Sequence, residues 1–397
     1  MPAICCVTTV ALTPRSSRDT AMRVVLVTHF FPAHGGGVEK VAAQLAACMA
    51  AVGVEVVWCA SDTDAVPAIA GVRCVPMRTF NGVERWTGFP YPIWSPGSWR
   101  QLAACIRQAD AVHAHDCIYA GSLLSGVLCR LHRKRLIVTQ HIGFVPLPWF
   151  LRPLLKAANL LGAMLVLRQA SGVAFISPQV RGYFAQMGFE SSRFCDVANG
   201  VDHHMFTLAQ RPPQGGREAL GFDSQRPLLL FVGRFVAKKR LSLVQAMAEA
   251  RPAWQWCVIG QGPDRPESWN LPNVRVLPPM PQAELVAYYR EADLLVLPSH
   301  GEGFPLVIQE AMACGLPACV TADVAAGGEM PKGLWLELHE PEDQMAHRAV
   351  CDMEDFLARP ANERSRQRAA CAQHARATWN WDRAAQAHLG WLQDSSA

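Results

Sequence analysis

The sequence has 14 cysteines but no Cys-x-x-Cys, so the usual dithiol-redox and zinc-ribbon spacings are missing. Most of the cysteines (Cys48, Cys59, Cys105, Cys257 and Cys314 among them) sit in apolar segments, where a free thiol behaves as a small hydrophobe. Reduced thiols in a cytoplasmic protein are therefore expected. No charge-free apolar run reaches the roughly 18 residues of a membrane span. Residues 4–12 are apolar, but no Lys or Arg precedes them, which makes a poor secretory leader. Residues 1–21 are read as a disordered or over-called extension before a clean strand opening at Met22. A Gly-Lys-Ser/Thr phosphate loop, a G-x-G-x-x-G fingerprint and a Gly-x-Ser-x-Gly elbow are all lacking. The sequence is read as having no Asp-x-Asp metal motif, and no cofactor is expected.

Charge is sparse, at 18% of residues, and its net value of +4 is unevenly placed. Residues 1–205 hold 18 Lys and Arg against 11 Asp and Glu, and the remainder 19 against 22. The first half therefore favours anions, and no nucleic-acid partner is read from so modest an excess.

A chain of 397 residues suits two domains. Short β-branched runs alternate with helical patterns throughout, the signature of parallel α/β structure. Strands are predicted at 23–28, 55–59, 111–114, 136–139 and 173–176, then at 228–232, 256–259, 274–277, 294–297 and 318–321. Continuous apolar strands suit sheets covered on both faces. The Pro- and Gly-rich residues 211–216 read as a linker. Two doubly wound Rossmann-like domains are expected, at 22–205 and 206–379, and the sequence allows a helix near 380–397 to pack back on the first. In such sheets ligands bind at the carboxyl ends of the strands.

After the predicted strand 294–297 comes a Gly-containing turn and then a helix stopped by Gly315 and Pro317. Pro305 suits the first helical turn. Gly303, Phe304, Pro305, Leu306 and Val307 surround the helix start, where free N–H groups and the dipole favour an anion. Glu302 lies on the loop before it and Glu310 one turn inside. The strand 228–232 leads into Gly233-Arg234 and then Lys239, two cations suited to a diphosphate. Gly260-Gln261-Gly262 ends the next strand. Each piece alone is commonplace; their order, each following a strand, is what carries weight.

The Glu-x7-Glu block within residues 298–317, residues 231–239 and 260–263, and Asn199-Gly200-Val201-Asp202 together resemble the family-4 retaining glycosyltransferases of the GT-B fold. The resemblance implies that Glu310 binds the ribose hydroxyls of a nucleotide and that Glu302 meets the donor sugar. It also implies that Arg234 and Lys239 hold the diphosphate, with backbone donors at 303–307. Arg240 stands where the family usually has Gly after the Lys. The reaction implied is hexosyl transfer from a nucleotide diphosphate sugar to a hydroxyl with retention, on a lipid-linked or cell-surface glycan precursor. Metal independence is expected, with the cations doing a metal's task. A nucleotide-sugar epimerase, a sugar phosphorylase and a non-catalytic nucleotide-sugar-binding protein are the rival readings.

In the first half, Gly35-Gly36-Gly37 precedes a helix, and glycines there permit close approach of a ligand. In the resembled family this loop meets the donor, which singles out Gly36 and Gly37. His113-Ala114-His115-Asp116 ends another strand. A zinc site is not read there, on the expectation that the two imidazoles diverge. His115 or Asp116 is instead expected to help position the acceptor or a loop. His141 follows the next strand and corresponds to the family's sugar-contacting His. Residues 130–168 combine apolar residues, Trp149 and several Lys and Arg, a composition suited to docking on an anionic membrane. The inner face of the cytoplasmic membrane follows as an expected location.

Overall fold

In the computed structural model, residues 21–87, 90–142, 152–208, 216–300, 302–328, 330–339 and 342–393 are described. The chain divides into two compact units, one of residues through 199 together with those from 381 onward, the other of residues 200–380. The division falls earlier than the 205/206 boundary expected from composition, because residues 200–208 pack within the second unit. Val201 bridges to Asn380 and its N–H donates to the Trp379 carbonyl at 3.2 Å. The Arg290 guanidinium donates to the Thr207 carbonyl at 3.2 Å. Most of the expected linker, residues 211–215, lies outside the described residues.

The first unit contains β1 (Arg23–Val27), β2 (Glu55–Ser61), β3 (Val72–Met77), the two-residue antiparallel pair β4 (Thr79–Phe80) and β5 (Ile93–Trp94), then β6 (Ala111–His115), β7 (Arg135–Gln140), β8 (Gly172–Phe175) and β9 (Phe194–Asp196). Seven of these form one parallel sheet in the order β3-β2-β1-β6-β7-β8-β9. Successive side chains point to opposite faces. Val24 and Leu26 join Trp58, Leu389 and Leu392 in one core, while Val25 and Val27 join Leu102 and Leu128 in another. Helices α1 (Gly37–Ala51), α2 (Pro96–Gln108), α3 (Ala120–His132) and α4 (Arg152–Leu165) supply this cover. The edge strands β3 and β9 carry no predicted run, because a short or proline-bearing edge strand (Pro76 in β3) loses the apolar continuity that marks a central one.

The second unit contains β10 (Leu228–Val232), β11 (Gln255–Ile259), β12 (Val274–Leu277), β13 (Leu294–Leu297), β14 (Ala318–Thr321) and β15 (Trp335–Leu338), in parallel order β12-β11-β10-β13-β14-β15. Helix α5 (Leu306–Ala313) follows β13. The last helix of the chain, α6 (Trp381–Gln393), belongs to the first unit. There the Leu392 carbonyl accepts from the Arg135 guanidinium at 3.0 Å. A Cβ on Gly172 would lie 2.2 Å from the Trp391 ring, so that glycine is what admits the helix. In each sheet the chain winds outward and then returns beside its first strand, placing a switch point between β1 and β6 and between β10 and β13. The side chains considered next stand at those strand ends.

Candidate functional site

In the second unit β10 runs into Gly233, whose N–H donates to the Ile259 carbonyl at 3.0 Å. The loop then folds against the end of β11, with Phe235 N–H donating to the Gln261 carbonyl at 2.8 Å. Gly262 is required by that contact, since a Cβ there would meet the Phe235 carbonyl oxygen at 2.1 Å. Arg240 takes φ +50, the left-handed conformation in which glycine is the least strained residue. The arginine therefore keeps the turn expected of a glycine, at a cost in backbone strain.

Lys239 is buried, and its Nζ lies 3.1 Å from Glu302 Oε1. Lys238, which the sequence reading did not single out, reaches the same oxygen at 3.0 Å. The turn is closed by His300 N–H donating to the Lys238 carbonyl at 3.1 Å. Burial lowers the Lys239 ammonium from its ordinary value, and Glu302 opposes part of that shift. Burial raises the Glu302 carboxyl, but the two ammonium groups outweigh it and hold the group below its ordinary range. Glu302 is thus ionised and shared between two cations, while Arg234 is exposed. With Gly260, Gly262, Arg265 and the β12 end at Leu277, Arg234 lines a cavity of about 560 Å³. A cavity of that size fits a nucleotide-sized ligand.

Glu310 lies in α5, buried, with Oε1 accepting from Gln282 Nε2 at 2.6 Å and Oε2 from the Tyr289 hydroxyl at 2.9 Å. Pro305 is the residue before α5, and Leu306 begins it. Phe304 is buried, its ring 5.1 Å from Trp379, while Gly303, Leu306 and Val307 are partly exposed at the helix start.

In the first unit the polar strand ends are buried and bond one another, while His29 Nδ1, Glu39 Oε2, His113 Nδ1, His115 Nε2 and Asp116 Oδ2 are left without a hydrogen-bond partner among the described residues. Asp116 is buried at φ +56. Its Oδ1 accepts from His141 N–H at 2.7 Å, Ile142 N–H at 2.9 Å and Gln140 Nε2 at 3.0 Å. This fixes the turn after β7, so Asp116 positions a loop; an exposed acceptor contact is not part of its geometry. Burial raises its carboxyl to about 6, against the opposing pull of those backbone donors.

His115 Nδ1 and His141 Nε2 share a hydrogen bond of 2.9 Å. Burial lowers His141 to about 3 and His115 well below its ordinary value, so both are neutral. His113 and His115 do not diverge. Residues i and i+2 of a strand share a face, and the two rings lie 4.6 Å apart. Even so, no group of three or more His, Cys, Asp or Glu able to hold a metal occurs among the described residues. The triplet Asp62-Thr63-Asp64 does have Asp-x-Asp spacing, contrary to the sequence reading. Its carboxylates are engaged elsewhere: Asp62 accepts from Thr79 N–H at 3.0 Å, and Asp64 pairs with His34 at 2.9 Å.

The glycine loop is explained by a residue the sequence reading passed over. Glu39 in α1 is buried and bonds His29 Nε2 at 2.9 Å. A Cβ on Gly36 would stand 2.1 Å from the Glu39 carboxylate, whereas one on Gly37 would meet nothing within 4 Å. Gly36 is therefore needed internally, whereas Gly35 and Gly37 are sterically open. Burial raises Glu39, but the His29 charge and hydrogen bond outweigh it, and its carboxyl is lowered. His29 in turn stacks on Tyr119 at 3.9 Å. The signal available in the sequence was Glu39 three residues after Gly36, the spacing at which an N3 carboxylate folds back on a helix start.

Residues 35–204 match the family model described as Glycosyltransferase Family 4, and residues 226–353 match that of Glycosyl transferases group 1. The chain belongs to the family-4, group 1 glycosyltransferases. A D-inositol 3-phosphate glycosyltransferase of Thermomonospora curvata is 32% identical over 53% of this chain and 53% of its own. The chain thus spans about half the length of the first curated relatives it matches. One of the same name from Xylanimonas cellulosilytica is 27% identical over 89% of this chain and 90% of its own. HepE of Anabaena, solved with UDP-glucose, superposes with a TM-score of 0.69 at 16% identity over 92% of this chain and 97% of its own. That likeness establishes the GT-B fold.

Proposed function

We propose that the chain transfers a hexosyl group from a nucleotide diphosphate sugar to a hydroxyl, with retention and without a metal. The observation that carries this reading is the Arg234, Lys239 and Glu302 cluster beside a cavity of about 560 Å³ at the ends of β10 and β11. The cations sit where a leaving diphosphate gains most from fixed positive charge in a low-dielectric setting. In the reaction the bond from the anomeric carbon to the phosphate oxygen breaks and one to the acceptor oxygen forms. The acceptor's proton leaves with the diphosphate. Glu302 holds Lys239 in place and faces the donor sugar, and Glu310 takes ribose hydroxyls. HepE, solved with UDP-glucose, supports the donor class by analogy.

The acceptor is proposed to be a glycan precursor carried on a lipid. Relatives named for D-inositol 3-phosphate favour a second reading, a small phosphorylated acceptor, which the basic first half also suits.

A thermal-shift series with UDP, GDP and ADP tests the donor site. A ligand at 100 times its Kd adds about 2.7 kcal/mol of stability. No shift with any of these nucleotides would overturn the reading. Incubating the matching sugar nucleotide with lipid-linked and phosphorylated acceptors then separates transfer from epimerisation, phosphorolysis and simple binding.

A further inference from the structure

Two thiols of the first unit meet between a strand and a helix. The register of β2 and β3 pairs Val57 with Arg73 and Cys59 with Val75. Paired residues share a face of the sheet, and so do residues two apart along a strand. Cys59 and Arg73 therefore stand on one face, the one that α2 covers with Leu102 and Ile106. Cys105 of α2 is half-buried and packs onto this core. The Cys59 thiol, wholly buried, shares a hydrogen bond with it, and both cysteines are free. Burial pushes the core thiols Cys129 and Cys257 up to about 12, which makes such groups inert. The paired thiols differ from each other instead. Their hydrogen bond lowers Cys105 to about 6 against the opposing effect of burial, with the Arg73 guanidinium assisting. The same bond, together with burial, raises Cys59 well above its ordinary value. Cys105 is thus mostly thiolate near neutral pH, and Cys59 keeps its proton and donates it.

We propose that Cys105 and Cys59 form a peroxide-reactive pair, Cys105 attacking and Cys59 resolving, whose product is a disulfide between α2 and β2. In the first step the Cys105 sulfur attacks one oxygen of the hydroperoxide and the O–O bond breaks. Cys105 becomes a sulfenic acid, and the other oxygen leaves as hydroxide or alkoxide and takes a proton from water. In the second step the Cys59 sulfur attacks that of Cys105, the S–O bond breaks, and hydroxide leaves as water with the Cys59 proton. The two thiols lose two electrons and the peroxide gains them. Cys59 is also joined to the segment after β1: its carbonyl accepts from Thr28 N–H at 3.2 Å, and Ser61 N–H donates to the His29 carbonyl at 3.2 Å. The disulfide therefore forms beside the backbone that carries the His29 partner of Glu39.

The test is peptide mapping of the full chain after treatment with stoichiometric hydrogen peroxide. The expected product is a disulfide joining Cys59 to Cys105, which dithiothreitol reverses. Oxidation of Cys105 should outpace that of Cys351, an exposed cysteine of the second unit, about three-fold or more. Cys59→Ala should leave a sulfenic acid on Cys105 that dimedone traps, and Cys105→Ala should leave Cys59 a free thiol. Cys105 is half-buried in a helix, where alanine is well tolerated, so Cys105→Ala keeps the test open if the core variant at Cys59 does not fold. Oxidation of Cys105 no faster than that of Cys351 would overturn the proposal. So would a disulfide from Cys105 to Cys74, or a sulfinic acid on Cys105 with Cys59 still reduced.

Discussion

The two sheets end in polar clusters of opposite character. At the ends of β6 and β7, the imidazoles of His113, His115 and His141 are buried and pushed toward the neutral form, and Asp116 is spent on the following turn. At the ends of β10 and β13 the charges persist: Lys238 and Lys239 share the one carboxylate of Glu302, and Arg234 stands exposed beside the cavity. Burial with a hydrogen-bond partner makes a scaffold, whereas burial with one more cation than anion makes a site that attracts phosphate. The same doubly wound topology thus holds one strand-end cluster that shapes loops and another suited to chemistry.

The largest expected effect falls on the charged cluster. Lys239→Ala should lower turnover by about 10²-fold or more, as loss of a preorganised donor does. Steady-state rates check it, and unchanged turnover would remove Lys239 from the phosphate role.

The next effect belongs to the neutral cluster and depends on pH. His388 Nδ1 donates to the Ala384 carbonyl at 2.7 Å, leaving Nε2 to accept from Thr139 Oγ1 at 2.8 Å; Thr139 in turn accepts from His113 Nε2 at 2.8 Å. Burial lowers His388 to about 4. Its folded pKa is depressed below the unfolded value near 6.5, so the unfolded state binds the proton more readily. Stability from this group is full above about pH 6.5 and is lost as pH falls toward about 4, to the extent of roughly 3 kcal/mol. Urea denaturation across that range should show the loss in the wild-type protein and a shallower slope in His388→Gln.

Asp116→Ala leaves three donors without their acceptor and should cost about 2–3 kcal/mol. Asp116→Asn keeps an amide oxygen at the same place and tolerates the left-handed backbone, so it should cost less than about 1 kcal/mol. Because burial raises Asp116 to about 6, the favourable contribution of its protonated form is present below about pH 4 and fades as pH rises through 6. Asparagine should abolish that trend as well. A comparable cost for both variants would show that Asp116 acts by charge rather than as an acceptor.

The smallest effect lies at Arg240. Replacing it by Gly relieves the left-handed strain, with part of the gain returned as unfolded-chain entropy. A stabilisation of about 0.5 kcal/mol is expected by chemical denaturation, with turnover near that of the wild type.

Much of the architecture was legible because central parallel strands are continuous apolar runs: β10, β13 and β14 begin and end where hydropathy places them, and so does the apolar edge strand β12. The other edge strands, β3, β9 and β15, were not, since an edge lacks the second neighbour that demands such a run. The Arg234, Lys239, Glu302 and Glu310 set could be located by order and by position after strands. Its pairing could not: that Lys238 joins Lys239 on one oxygen, or that Gln282 and Tyr289 hold Glu310, depends on residues distant in sequence. His113 and His115 were misplaced by reading their directions as divergent when the strand repeat puts them on one face.

The sequence by itself determined two doubly wound halves, a cationic loop after one strand and a helix start after another, because hydropathy period, glycines and charge are local properties. Only the tertiary structure decided that Gly36 makes room for Glu39, that a helix from the far end of the chain supplies His388 to the first sheet, and that the leucines of α4 face outward. Each of these depends on which surfaces meet, and contact between distant segments is written in no single stretch of chain.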